Sequence, residues 1–350
     1  MQIQDSNSMI NHLRETGQFL ALSRSQPTVF KEGATFSLDN GTKVNVLGPG
    51  VLSFTPQVPS GKAIVLSSGI HGNETAPIEI CEKYVVDILM EKITVAHRVL
   101  FIFGNLPAMD SATRFIDENL NRLFSGAHTR PEVNQNSYEC SRAKELEQGV
   151  SHFFRAGDNS EERYHYDLHT AIRPSKNEKF AVYPYLHGKA HSKEQLSFLL
   201  ACGVDTFLLS GSTTTTFSYY SSQQFDAHAF TVELGKVQPF GHNDMSRFSQ
   251  VRDTMERFIC GRNIESKPFK NSDFSIYQVN QVINKSQHDF TLDFSDDLPN
   301  FSDFPTGTLL AHETGAEYRT AHDGEAVVFP NANVAIGQRA ILTVIPTTLN

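Results

Sequence analysis

Between residues 62 and 236, short apolar runs alternate with longer stretches of helical period, and this alternation limits the chain more than any other feature. KAIVLSS (62–68), HRVLFIFGNLP (97–107), YHYDLHT (164–170), KFAVYPYL (179–186), VDTFLLS (204–210) and HAFTVELG (228–235) are short and bounded by turn residues, so they read as strands. Between them, Ile78, Cys81, Val85 and Ile88 recur at helical spacing in a helix opening with Pro77 and running to Met90. Helical patterns also cover 137–154, 191–202 and 244–260. Strand and helix in turn predict an α/β fold, a mostly parallel mixed sheet flanked by helices, with ligands bound at the carboxyl ends of the strands.

Ahead of this region a short helix is expected, followed by a hairpin over TFSLDNGTKVNVLG with Asn40 and Gly41 supplying its positive-φ turn residues. The Ser/Thr-rich segment 211–224 reads as a loop at the mouth of the sheet. From about residue 263 the texture changes. SIYQVNQVI, FTLDF, TGTLLAH, EAVVFP and RAILTVIP are short strand-like runs without helical period, which predicts a larger domain over 1–262 and a small all-β domain over 263–350.

Composition narrows the function. A net charge of −9 without a basic run argues against nucleic-acid binding, which needs clustered Lys and Arg. The four cysteines are far apart and form no CxxC pair, so neither a disulfide framework nor a cysteine zinc site is suggested. The chain start has no charged head followed by an apolar stretch, and no run of 18 apolar residues occurs; the expectation is a cytoplasmic protein that does not span a membrane. A pocket for a small molecule is then the place to look, and an anionic substrate would need local arginines to overcome the negative field. The sequence sets no oligomeric state.

Polar residues gather at the strand ends. His71 and Glu74 lie in GIHGNE, in the joint between a strand and a helix, where a metal pair and a solvated loop are both open readings. In YHYDLHT the period of two puts Tyr164, Tyr166 and Leu168 on one face and His165, Asp167 and His169 on the other. His71, Glu74 and His169 together have the ligand chemistry of a catalytic zinc site, two residues from one loop and a distant histidine, with a fourth position left for water. Glu233 in AHAFTVELGK is the candidate general base, with pairing to Lys236 the bland alternative. Arg114, Asn121 and Arg122, in ATRFIDENLNRLFSG, suit a carboxylate or face water.

In that order GIHGNE, ENLNRLF, DLHT and VELG resemble the succinylglutamate desuccinylase and aspartoacylase family, a branch of the zinc carboxypeptidase-like fold. The resemblance implies a zinc-dependent amidohydrolase acting on a small dicarboxylic N-acyl amino acid, with one Zn2+ per subunit on His71, Glu74 and His169. It implies further that Glu233 is the general acid/base, that Arg114 supports the carbonyl oxygen as charge builds on it, and that Asn121 and Arg122 bind a carboxylate. One departure is Asn119, which stands where aspartoacylases usually carry an acid. DLHTAIRPS resembles the desuccinylase version of its motif and leans the substrate toward N-succinylglutamate; Arg173 is the residue expected to meet the extra succinyl carboxylate, or else to face solvent. The competing readings are an aspartoacylase, a metallocarboxypeptidase, and a zinc-binding protein without catalysis.

Overall fold

A computed structural model describes residue 3 and residues 5–349. Its strands are β1 Ala34–Ser37, β2 Lys43–Gly48, β3 Val51–Thr55, β4 Lys62–Ser68, β5 Arg98–Phe103, β6 Glu162–Ala171, β7 Phe180–Tyr183, β8 Thr206–Leu209 and β9 His228–Lys236. Around them lie α1 Ser6–Thr16, α2 Phe19–Ser25, α3 Thr75–Leu89, α4 Leu106–Asp110, α5 Tyr138–Arg155, α6 Lys193–Ala201, α7 Phe217–Phe225 and α8 Ser249–Ile259. The remaining strands are β10 Ser275–Asn284, β11 Thr291–Leu292, β12 Ser302–Phe304, β13 Leu309–Glu313, β14 Ala316–Arg319, β15 Glu325–Val328 and β16 Arg339–Thr347.

The main sheet runs β1-β2-β3-β5-β4-β6-β9-β7-β8-β10-β16-β15-β12, and β11-β13-β14 form a second, smaller sheet. It is mixed, with its parallel block at the centre: β5, β4, β6 and β9 point the same way, and β7 reverses against β9. Strand alternation feeds two separate cores. Ile64, Leu66, Tyr166, Leu168, Phe230 and Val232 pack toward α3, α6 and α8 in one. Val65, Leu100 and Ile102 pack toward α5 and α7 in the other, against Leu146, Phe154 and Phe217. On β6 and β9 this second face is polar: Asp167 is buried with His165 and His169, and Glu233 lies on the partner strand. Burying such a row is costly unless each group finds a partner.

Three local expectations are corrected. The hairpin turn has only Gly41 in the left-handed region, while the Asn40 side chain accepts from the Thr42 amide and so shapes the turn without a positive φ. The helix after β4 begins at Thr75, with Pro77 inside its first turn, where a missing N–H costs no intrahelical bond. Within the expected loop 211–224, residues from Phe217 onward form α7, because Phe217, Tyr220 and Phe225 are buried against the α5 layer and packing outweighs a serine-rich sequence.

The division expected at residues 262–263 falls in the irregular connection between α8 and β10, yet the sheet does not stop there. β10 pairs in parallel with β8, Ile276 opposite Phe207. Phe180 and Leu208 share a core with Phe301, Val328 and Val344.

Candidate active site

The joint after β4 depends on two glycines for different reasons. Gly69 turns with φ 65°, a conformation that L side chains adopt at a cost. Gly72 has no positive φ; a Cβ there would lie 2.2 Å from the Ala108 carbonyl carbon, because α4 crosses directly over it. Between them the chain carries His71, and Glu74 sits at the N-cap of α3.

His71, Glu74 and His169 are about 97–98% buried and each offers a ligand atom, all within 4.8 Å of one another. Among the described residues no other group of three His, Cys, Asp or Glu side chains does so. His71 Nδ1 is 2.9 Å from Glu74 Oε1, and His169 Nδ1 is 2.8 Å from Glu74 Oε2. The outer nitrogens are held from behind: His71 Nε2 lies 3.0 Å from Asn119 Oδ1, and His169 Nε2 lies 2.9 Å from Asp167 Oδ2. An oxygen acceptor at each Nε2 keeps the proton there and leaves Nδ1 as a lone-pair donor, which is how metal-binding histidines are oriented. His71 Nδ1 is buried without a well-aligned hydrogen-bond partner. These residues fit a metal ion, and two imidazoles with one carboxylate suit zinc.

Burial alone would raise the Glu74 carboxyl, but His71 and His169 beside it hold it well below the carboxylate range. Burial and the nearby Arg114 charge push His71 down to about 4, whereas Asp167 and Glu74 overcome burial at His169 and raise it well above the usual imidazole value. Glu74 also accepts from Arg114 Nη1 at 2.7 Å and from the Thr170 amide at 3.0 Å.

Glu233 is opposite His169 in the β6–β9 register, with Oε2 buried and unpaired. Burial, with the Glu74 charge second, pushes its carboxyl up to about 7. Among the described residues no ion pair forms between Glu233 and Lys236, the bland alternative from sequence. His165, the other histidine on that face of β6, is satisfied in the core between Ser67 and Ser221, at 2.8 and 2.7 Å. Ser67 in turn donates to Asp167 at 2.6 Å, so a hydrogen-bonded row runs from Ser221 to His169.

The segment 114–122 brings its cations and amides to this end of the sheet. Asn121 Oδ1 accepts from the Phe217 amide at 3.0 Å, fixing the start of α7. Arg122 donates to the Asn121 carbonyl at 2.7 Å, and burial followed by the charges of Arg339 and Arg114 depresses it to about 9. Arg339, at the start of β16, is a cation whose charge reaches Arg122 and which sequence reasoning misses. It lies over the Phe329 ring at 5.6 Å, its Nε is buried without a partner, and burial lowers it to about 10. Nothing local in QRAILTV marks it, since its proximity to Arg122 spans more than 200 residues of chain. Arg173 is placed differently from the cluster residues: its guanidinium bonds the Asp296 carbonyl and lies 3.6 Å from the Asp296 carboxylate.

A mixed α/β sheet with a buried His-Glu-His cluster that could hold a metal ion, and a buried carboxylate of raised pKa beside it, is the arrangement expected of the metal-dependent hydrolase class. Residues 60–259 match the succinylglutamate desuccinylase/aspartoacylase catalytic domain, and residues 272–347 match the AstE/AspA barrel-sandwich hybrid domain. The chain belongs to this family of hydrolases. It is 70% identical over 350 residues to a succinylglutamate desuccinylase of Pseudoalteromonas atlantica, covering 100% of both chains. It is 48% identical to that of Shewanella woodyi, covering 97% of this chain and 98% of that one. A crystal structure of succinylglutamate desuccinylase from Vibrio cholerae matches with a TM-score of 0.84 at 36% identity, over 94% of each chain.

Proposed function

We propose that this chain is a cytoplasmic zinc enzyme that hydrolyses N-succinyl-L-glutamate to succinate and L-glutamate, the last step of arginine breakdown by the succinyl route. The observation that carries the reading is the buried triad of His71, Glu74 and His169, with each imidazole fixed through Nε2 and Glu233 unpaired alongside. The names of its relatives, similar over the whole chain, support the substrate.

His71, Glu74 and His169 would hold one zinc ion. Bound there, the ion would supply Lewis acidity toward the acyl carbonyl and acidify a water molecule. Glu233 takes a proton from the attacking water and returns it to the departing amine. A carboxyl held near neutrality can both accept and release a proton at working pH. Arg114, anchored on Glu74, donates to the carbonyl oxygen as negative charge grows on it. Asn121 has committed its oxygen to Phe217, leaving the amide hydrogens to a substrate carboxylate beside Arg122. Arg339, in the C-terminal strands, puts a third positive charge within electrostatic reach of Arg122, and such charges in a protein of net charge −9 suit a substrate with several carboxylates.

The balance is one water added across one amide bond, giving an acid and an amine. Rates on N-succinylglutamate, N-acetylaspartate and a short peptide, measured with metal content, test the reading. Preference for the succinyl substrate is expected, and preference for either other substrate overturns it. Glu233→Gln should lower kcat by roughly 100- to 10,000-fold while bound metal stays at the wild-type level.

A further inference from the structure

The segment that carries Arg114, Asn119, Asn121 and Arg122 has almost no regular structure of its own, only a single turn at Leu120–Arg122. What fixes it is a carboxylate from elsewhere. Glu139, in the first turn of α5, is fully buried. Its Oε1 accepts from the Ile116 amide at 2.7 Å and from Asn105 Nδ2 at 2.9 Å. Its Oε2 faces the amides of Asp117 and Glu118, both at 3.4 Å. Three consecutive backbone N–H groups thus converge on one buried carboxylate, a nest of the kind that binds anions, here filled by the protein itself. Burying a carboxylate is tolerable only with such a set of donors.

The clamp has the site on both sides of it. Toward the N-terminus, Arg114 donates to Glu74, and its carbonyl accepts from the Gly72 amide at 3.1 Å. Toward the C-terminus, Asn119 holds His71 Nε2, and Asn121 holds α7. Asn105, the side-chain partner of Glu139, also caps α4, the helix lying over Gly72. We propose that Glu139 is a positioning residue: it sets the 114–122 segment against the His71–Glu74–His169 cluster, and through Asn119 and Arg114 governs how tightly metal is held and how fast the chemistry runs.

The proposal rests on the metal-hydrolase reading, and the test separates the two. Glu139→Gln keeps the volume but turns one acceptor into a donor facing backbone N–H groups. Metal affinity, measured by competition with a chromophoric chelator, should fall roughly 10- to 100-fold, the loss typical when a partner behind a metal ligand is disturbed. At saturating metal, kcat/KM should also fall by roughly 10- to 100-fold, mostly in kcat, because Arg114 meets charge that develops only during reaction. A merely structural role would lower the unfolding temperature and leave both quantities, per folded molecule, within about twofold of wild type; that result overturns the proposal. Should Glu139→Gln not fold, Glu139→Asp retains the charge on a shorter arm, and the same two readouts decide, with smaller losses expected. Metal affinity does not depend on the substrate. A wild-type protein that binds metal but is inert toward N-succinylglutamate would therefore refute the functional reading, while the affinity of the variants still decides the role of Glu139.

Discussion

Replacing Asp167 by Asn would test the buried cluster at its most specific point. Asp167 is fully buried and divides its oxygens: Oδ1 accepts from Ser67 and Oδ2 faces His169 Nε2 at 2.9 Å. An amide can preserve only one of these roles as an acceptor. If its NH2 faced His169, Nε2 would have to become the acceptor and the proton would move to Nδ1, the nitrogen turned toward Glu74. The Ser67–His165 contact offers an escape. With the amide turned so that its NH2 meets Ser67, the serine hydroxyl can donate to His165 Nε2, 2.8 Å away, and the carbonyl oxygen still accepts from His169. The imidazole then keeps its tautomer and loses only the charge behind it. We expect metal affinity to drop roughly 10- to 100-fold, equivalent to about 1.4–2.7 kcal/mol. Adding Ser67→Ala removes the hydroxyl that accommodates the turned amide and should lower affinity further. Chelator competition at fixed pH, with circular dichroism to confirm folding, measures both steps. Wild-type affinity in the single variant would refute the claim that the Asp167 charge behind His169 strengthens metal binding.

Gly72→Ala should destabilise the fold by about 1–3 kcal/mol, because its Cβ meets backbone and not a movable side chain; a lowered urea midpoint checks this, and an unchanged one would contradict the close crossing of α4. Arg339→Met and Arg173→Met, assayed on N-succinylglutamate and N-acetylglutamate, separate two candidates for the carboxylates. Loss of a charge-assisted contact from Arg339 should raise KM for the succinyl substrate roughly 10- to 100-fold. Arg173 already has Asp296 as a partner, so its variant is expected to matter less unless substrate displaces that acid, and an equal or larger effect on the succinyl substrate would restore it as the recognition residue.

The strands of the parallel block are legible in the sequence because they are short, aliphatic and bounded by turn residues, so period and length agree. Residue type at strand ends nominates His71, Glu74 and His169, and folding brings them together. What stays hidden is set by contacts between distant segments. Residues of α7 from Phe217 are serine- and glutamine-rich and become helical through the aromatic side chains they bury. Glu139 looks like any acid in a helix first turn, where the helix dipole favours it on the surface, and its burial depends on the amides of a separate segment. Arg339 sits in an ordinary strand of the β region and gains meaning only beside Arg122.

The pairing of β8 with β10 has a bearing on how the two halves can be handled and inherited. A chain cut in the connection after α8 would leave β8 as a bare edge, its backbone donors and acceptors open to another strand, with Phe180 and Leu208 stripped of Phe301 and Val344. An open edge of this kind invites pairing with another chain. Swapping either half, or expressing it alone, would open that seam, and changes in the C-terminal strands act on β8, which only β7 separates from the strand of Glu233.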